Sequence, residues 1–165
     1  MNEAQSLYND GYGSMLEGDL LTLKSFETLY LVEKTRIAVV DEESRSKMTF
    51  QELIWEFSSD DTLIWTRYIV YRDLRSRGFV VREGPGLGID FLVYERGAYG
   101  KKPPRYMVYA VTEGIPESIR HLEEILELAK NNDRILRIAA IDRRGEIVYY
   151  TLSDVGFDEQ EEKET

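Results

Sequence analysis

The spacing of apolar residues changes at Gly78, and this change limits the folds that the chain can adopt. Over residues 63–74, apolar side chains recur every three or four positions, which is the period of a helix. Residues 79–83 and 89–94 instead alternate in the manner of strands. The sequence therefore predicts a helix that leads directly into two paired strands, with Gly78 as the C-terminal cap of the helix.

The stretch between these strands, residues 84–88, reads Gly-Pro-Gly-Leu-Gly and has the composition of a phosphate-binding loop. Phosphate-binding glycine loops are followed by a helix, because the N-terminus of that helix faces the phosphate. Here a strand follows, so the stretch is interpreted as a hairpin turn.

The same reasoning assigns the rest of the chain. Residues 4–20 contain three glycines and predict short strands and turns rather than a helix. Thr49 and Glu52 have the spacing of a capping box, which begins a helix by satisfying free backbone amides. The other predicted elements are a helix over 23–34, a strand over 105–112, a helix from Pro116 through Ala129, and two strands, 135–141 and 147–152, on either side of the turn 142–146.

These elements predict a mixed α/β (α+β) protein. A chain of 165 residues, 42% of them apolar, can bury one substantial core or two small ones. The run Ser-Ser-Asp-Asp at residues 58–61 separates two helices and places a domain boundary there. We therefore expect a small N-terminal α/β domain over 1–62, a C-terminal α/β domain over 63–157, and a disordered acidic tail over 158–165.

The composition narrows the chemistry. The chain has no cysteine, and His121 is its one histidine, which excludes disulfides and multi-histidine zinc sites within one chain. His121 lies beside the apolar stripe of its predicted helix and is interpreted as a packing residue. We expect no metal and no cofactor. Because no apolar run reaches the 18 residues or so of a membrane span, we expect a soluble, cytoplasmic protein without membrane contact.

Charge is distributed unevenly along the chain. The net charge is -10, yet residues 67–105 carry nine Lys or Arg against four Asp or Glu. Such a basic segment inside an acidic protein has two interpretations: a solvated helix face with a loop, or a contact surface for a polyanion.

Five segments carry a resemblance to a known family: Gly11–Gly13, Leu21–Leu31, Tyr71–Arg82, Gly88–Tyr94 and the closing pair Tyr149 and Tyr150. The third and fourth are the most specific. The order and spacing of all five resemble the archaeal tRNA-splicing endonucleases, and the likeness covers almost the whole chain. The resemblance implies a small N-terminal α/β domain followed by a restriction-endonuclease-like α/β domain with a mixed sheet.

Members of this family cleave bulge-containing pre-tRNA without a metal and leave a 2',3'-cyclic phosphate. They use a tyrosine as base, a histidine as acid and a lysine that stabilises charge on the phosphate. Tyr94 matches the tyrosine. The segment Lys101–Arg105, where the histidine is expected, has none, and Pro103 takes its place. Arg134 is nearest to the position of the lysine.

The absent histidine and lysine lead to the hypothesis that this chain is not an enzyme on its own. It would be the non-catalytic structural subunit of an α2β2 heterotetramer, assembling with a catalytic subunit and with pre-tRNA. The alternative is a divergent, metal-independent RNA endonuclease that uses Tyr94 with Lys101, Lys102 or Arg134. A third interpretation, an interaction module outside RNA processing, also stays open.

The resemblance places the subunit contacts at the last hairpin, whose acidic loop inserts into a basic pocket of the opposite subunit. Here Arg143 and Arg144 interrupt the acidic residues, so a plain exposed hairpin remains the alternative. The predicted partner-binding residues are Asp142, Arg143, Arg144, Gly145, Glu146, Ile147, Tyr149, Thr151 and Leu152.

Overall fold

The computed structural model of the chain describes residues 2–153. The expected acidic tail, residues 158–165, lies outside the described residues, as do residues 154–157 of the expected C-terminal domain.

Residues 3–9 form a helix where the sequence predicted short strands and turns. A short helix forms because the side chain of Asn2 accepts a hydrogen bond from the Gln5 backbone N at 2.7 Å and Leu7 is buried. One cap and one apolar anchor leave no periodic pattern, so the prediction for residues 4–9 is wrong. The elements of the first part of the chain are α1 (Glu3–Asn9), β1 (Ser14–Leu16), β2 (Leu20–Thr22), α2 (Ser25–Glu33) and α3 (Phe50–Asp60).

The capping box of α3 is confirmed. The Glu52 carboxylate accepts from the Thr49 backbone N at 2.7 Å, and the Thr49 hydroxyl accepts from the Glu52 backbone N at 3.2 Å. Each bond satisfies an amide that has no partner inside the helix.

The second part is a five-stranded mixed sheet. One helix precedes its first strand, and another connects its third strand to its fourth. The strands lie in sequence order from β3 to β7; β5 and β6 are parallel, and the other neighbours are antiparallel. This confirms the predicted fold class. The elements are α4 (Ile64–Ser76), β3 (Val80–Gly86), β4 (Ile89–Tyr94), β5 (Tyr106–Thr112), α5 (Ile119–Asn131), β6 (Ile135–Ile141) and β7 (Ile147–Leu152).

The turn between β3 and β4 confirms the interpretation of the glycine-rich stretch. Gly86 and Gly88 have φ angles of +82° and +92°, which glycine adopts without steric cost. Helix α5 begins later than predicted, at Ile119 rather than in a first turn with Pro116, because the side chain of Ser118 accepts from the His121 backbone N and makes Ser118 the N-cap. The longest helices, α4 and α5, have 13 residues each, and within residues 2–153 no helix is long and apolar enough to cross a membrane.

Each face of the sheet carries its own hydrophobic cluster. The larger cluster joins α4 and the sheet to the N-terminal helices, and its fully buried aromatic residues include Tyr68, Tyr71 and Phe91. The smaller cluster lies under α5 and contains Ile89, Met107, Ile125, Leu126, Ala129 and Leu136. The sheet is thus held from both faces, which fixes the positions of its strand ends.

Candidate active site and partner surface

The ends of three neighbouring strands bring the predicted site residues together. They lie at one edge of the sheet, the edge formed by strand ends and not by an outer strand. Tyr94 is the last residue of β4, Arg105 immediately precedes β5, and Arg134 immediately precedes β6. Two hydrogen bonds hold these ends together: the Arg105 backbone N donates to Val93 O at 2.9 Å, and the Ile135 backbone N donates to Arg105 O at 3.0 Å. Residues far apart in sequence therefore meet at this edge.

Tyr94 is half-buried beneath the loop that follows it. The Tyr99 ring makes an edge-to-face contact with the Tyr94 ring, with 5.0 Å between the centroids. Backbone bonds close the loop into successive turns, since the Ala98 backbone N donates to Glu95 O and the Lys101 backbone N donates to Ala98 O. The loop is therefore compact, and its Tyr99 ring packs against the ring of Tyr94.

The two prolines of this loop differ in environment. Pro103 is exposed, whereas Pro104 is buried and its carbonyl oxygen accepts a hydrogen bond from Arg134 Nη1. This bond holds the guanidinium of Arg134 against the loop. Lys101 and Lys102 are exposed, and within residues 2–153 neither ammonium group has a hydrogen-bond or ion-pair partner.

The candidate site therefore has the phenol of Tyr94, the guanidinium of Arg134 held by the loop, and the exposed ammonium groups of Lys101 and Lys102. The guanidinium of Arg105 lies there too and pairs with Glu95 at 3.2 Å. A guanidinium remains protonated, so Arg134 can stabilise negative charge but cannot supply a proton near neutral pH. An ammonium group is both a positive charge and a proton donor. Lys101 and Lys102 are therefore the groups of this loop suited to proton donation.

Two models of one protein family match this chain. Residues 64–149 match the family model described as tRNA intron endonuclease, catalytic C-terminal domain, and residues 1–54 match tRNA intron endonuclease, N-terminal domain. The chain belongs to the tRNA intron endonuclease family. The two matches leave residues 55–63 between them, which include the end of α3.

The family assignment is supported by individual similar proteins. A tRNA-splicing endonuclease of Methanococcus maripaludis is 36% identical over 86% of this chain and 78% of its own length. A protein of the same name from Thermococcus kodakarensis is 31% identical over 94% of this chain and 90% of its own length. A third, from Methanothermobacter thermautotrophicus, is 32% identical over 84% of this chain and 79% of its own length.

These findings overturn the prediction that the chain is not an enzyme on its own. The matched domain is the catalytic one of the tRNA intron endonuclease family, and the relatives are named endonucleases. The prediction rested on two residue types missing from two expected positions. It ranked these absences above the alternative, a divergent RNA endonuclease that uses Tyr94 with Lys101, Lys102 or Arg134.

His121 lies away from this edge. Its imidazole packs over Gly88, at the opposite end of β4 from Tyr94, roughly 20 Å along the strand. There it makes an edge-to-face contact with Tyr109, with 5.3 Å between ring centroids. Within residues 2–153 no three His, Cys, Asp or Glu side chains form a group that could hold a metal. The expectation of no metal and no cofactor stays a prediction.

The last hairpin holds the carboxylate of Asp142 in its own turn. Asp142 Oδ1 accepts from the backbone N of Arg144 at 2.8 Å and of Glu146 at 2.9 Å, while the side chains of Arg143 and Arg144 are exposed. The carboxylate of Asp142 is thus engaged within the turn, and the two arginines form the tip of the hairpin.

Over residues 147–150 of β7, the side chains alternate between the core and solvent. Tyr149 points inward and donates to Asp73 Oδ2 at 2.7 Å, and Ile147 packs against the larger cluster. Val148 and Tyr150 point outward and are 53% and 58% exposed. The partner-binding prediction omitted these two residues, although the period of two along a strand would have identified them.

Proposed function

We propose that this chain is an RNA endonuclease that cleaves bulge-containing pre-tRNA without a metal. In this reaction the ribose 2'-oxygen forms a bond to the adjacent phosphorus, the bond from phosphorus to the 5'-oxygen breaks, and a 2',3'-cyclic phosphate remains. The observation that carries the proposal is the convergence of Tyr94, the loop 95–105 and Arg134 at one sheet edge of a domain of this family.

Each group has a defined role. The phenol oxygen of Tyr94 receives the proton of the attacking 2'-hydroxyl. Arg134, held by Pro104 O, stabilises the negative charge that develops on the phosphate, and it does so without reorganisation because its position is already fixed. The ammonium group of Lys101 or Lys102 gives a proton to the departing 5'-oxygen.

The proposal predicts that Tyr94→Phe lowers the rate of pre-tRNA cleavage by about 10²–10⁴-fold, the usual contribution of a positioned acid or base. The substitution removes one oxygen and leaves the ring that packs against Tyr99. Single-turnover cleavage of a labelled pre-tRNA measures the rate. Tyr8→Phe, at an exposed position in α1, is the matched control. Equal rates for the two variants would remove Tyr94 from the mechanism.

The loop composition favours an assembly with a second family chain. Lysine is a weaker proton donor than histidine near neutral pH, and residues 94–105 contain no imidazole. We propose that the chain assembles with, and positions, a second endonuclease chain whose loop carries that histidine, in an α2β2 heterotetramer. Comparing cleavage by this chain alone with cleavage after addition of such a chain tests the proposal. Equal rates, or no complex in native mass spectrometry, would contradict it.

The surface proposed for this assembly is the hairpin 142–146 with the outer side of β7. Val148 and Tyr150 are apolar and exposed there, and the outer edge of β7 pairs with no other strand of residues 2–153. Free strand edges that carry apolar side chains favour pairing with another chain.

A further inference from the structure

A small cavity below the candidate site is surrounded by three arginines. The cavity has a volume of about 180 Å³ and lies between the end of α4 and the face of the sheet. Arg77, Arg96 and Arg137 line it, together with Phe79, Tyr106 and Tyr149. Three guanidinium groups around so small a space favour the binding of an anion.

Each arginine is held by an aromatic ring of the same cavity. The guanidinium carbon lies 4.7 Å from the ring centroid of Tyr106 for Arg137, 4.6 Å from that of Phe79 for Arg96, and 5.5 Å from that of Tyr149 for Arg77. These contacts orient the guanidinium planes around the cavity.

The cavity has more positive than negative charge. Asp73 is the carboxylate beside it, bonded to Arg77 Nε at 3.0 Å and to the Tyr149 hydroxyl at 2.7 Å. Arg96 Nε donates to a backbone carbonyl, Arg77 O, at 2.6 Å. Arg137 Nε is buried and has no hydrogen-bond partner within residues 2–153. A buried donor without a partner is costly, and a bound anion would satisfy it.

The position of the cavity indicates which anion. Val93 and Tyr106 line it and pair across β4 and β5, and they are the sequence neighbours of Tyr94 and Arg105. Because successive side chains of a strand point to opposite faces, the cavity lies at the same strand ends as the candidate site but on the other face of the sheet. Arg96, two residues after Tyr94, lines it where the chain leaves β4. Arginine binds phosphate oxygens in a bidentate manner.

We propose that Arg77, Arg96 and Arg137 bind a phosphodiester of the pre-tRNA close to the one that is cleaved, where the RNA strand passes round the end of β4. This inference rests on the proposed function, because it takes RNA as the substrate. The site holds the strand by its backbone and positions the reacting phosphate at Tyr94, so its arginines are binding residues and take no part in the proton transfers.

The test measures binding to a bulge-containing RNA with a 2'-deoxyribose at the cleavage site, which cannot react. Arg137→Gln should raise Kd by about 3–10-fold and reduce the slope of log Kd against log salt by about 0.7–0.9, the value of one phosphate contact. Arg120→Gln, the same change at a position that is 89% exposed on α5, should leave Kd within about twofold. Arg96→Gln, on the exposed loop, repeats the test if Arg137→Gln does not fold.

A second readout uses inorganic phosphate alone. Phosphate should raise the Tm of the wild-type chain and of Arg120→Gln, and this rise should be lost in Arg137→Gln and Arg96→Gln. Equal RNA affinity and equal phosphate response in all variants would overturn the proposal. Unchanged RNA affinity with weakened assembly would also overturn it, because the cavity would then bind a carboxylate of a partner chain. Both readouts are independent of cleavage, so a failure of the Tyr94→Phe test would not affect them.

Discussion

Glu27 shows how one buried charge joins the two parts of the molecule. Its side chain is almost fully buried, and its carboxylate accepts from the backbone N of Gly13 at 3.0 Å and of Lys24 at 2.8 Å. Arg82 of β3 lies 3.4 Å from the same carboxylate and also donates to Gly11 O and Gly13 O. The N-terminal hairpin, α2 and the first strand of the sheet therefore share one polar network.

At this residue, Glu27→Gln should lower the free energy of unfolding by about 2–4 kcal/mol, because Arg82 keeps its charge while its partner becomes neutral. The amide also places N–H donors against backbone N–H groups that need an acceptor. Chemical denaturation of the whole chain measures the change. Glu124→Gln is the control: its exposed pair with Arg120, at 3.7 Å, contributes at most about 1 kcal/mol. A similar loss for both variants would show that the Glu27 network does not stabilise the fold.

At the scale of elements, the packing of α5 depends on the turn between β3 and β4. A Cβ atom on Gly88 would lie 2.5 Å from His121 Cε1 and 2.8 Å from its Nε2. The imidazole lies between this glycine and the ring of Tyr109, so it has little room to move. This close approach gives His121 the packing role that its place beside the apolar stripe of the helix predicted.

Two glycines of this turn allow that contact to be isolated. Gly86→Ala should cost about 1–2 kcal/mol, because its φ of +82° strains an alanine although no atom lies within 4 Å of the new Cβ. Gly88→Ala has similar strain and should cost about 1–3 kcal/mol more, the usual penalty of overpacking. Thermal and chemical unfolding of both variants measure the difference. Equal costs would mean that His121 moves aside freely.

Elements with a periodic pattern or a cap signal were predicted correctly, whereas helix α1 was not. Thr49 and Glu52 predict the start of α3 because both residues of its capping box can be recognised in the sequence. Helix α1 has seven residues, one buried side chain and an asparagine cap, which do not amount to a period. Strand alternation was available for β7 but was not applied to single residues. It would have assigned Ile147 and Tyr149 to the core and Val148 and Tyr150 to solvent.

At the scale of the whole molecule, the sequence located the candidate site but not its surroundings. The chain order of strands and helices places Tyr94, the loop before β5 and Arg134 at three strand ends, and parallel pairing of β5 with β6 brings them together. The arginine cavity could not be predicted, because its residues come from the end of α4, from the four strands β4 to β7 and from the segments that follow α4 and β4. Only the packing of α4 on the sheet places Arg77 beside Arg137.

The proposed assembly predicts that a charge on the exposed side of β7 weakens the complex. Val148→Asp places a charge among the exposed apolar side chains of β7, and a charge on a strand edge opposes pairing with another chain. We expect the complex with a second family chain to weaken by about tenfold or more, since a buried unpaired charge costs several kcal/mol.

Light scattering after gel filtration measures the molar mass of the wild-type and variant complexes at matched concentrations. Ile119→Asp is the control, because Ile119 is 63% exposed at the start of α5 and does not lie on β7. Wild-type mass for Ile119→Asp with smaller species for Val148→Asp would support assembly through β7. If both variants keep the wild-type mass, the subunits contact one another through another surface, and the exposed tip at Arg143 and Arg144 becomes the next segment to substitute.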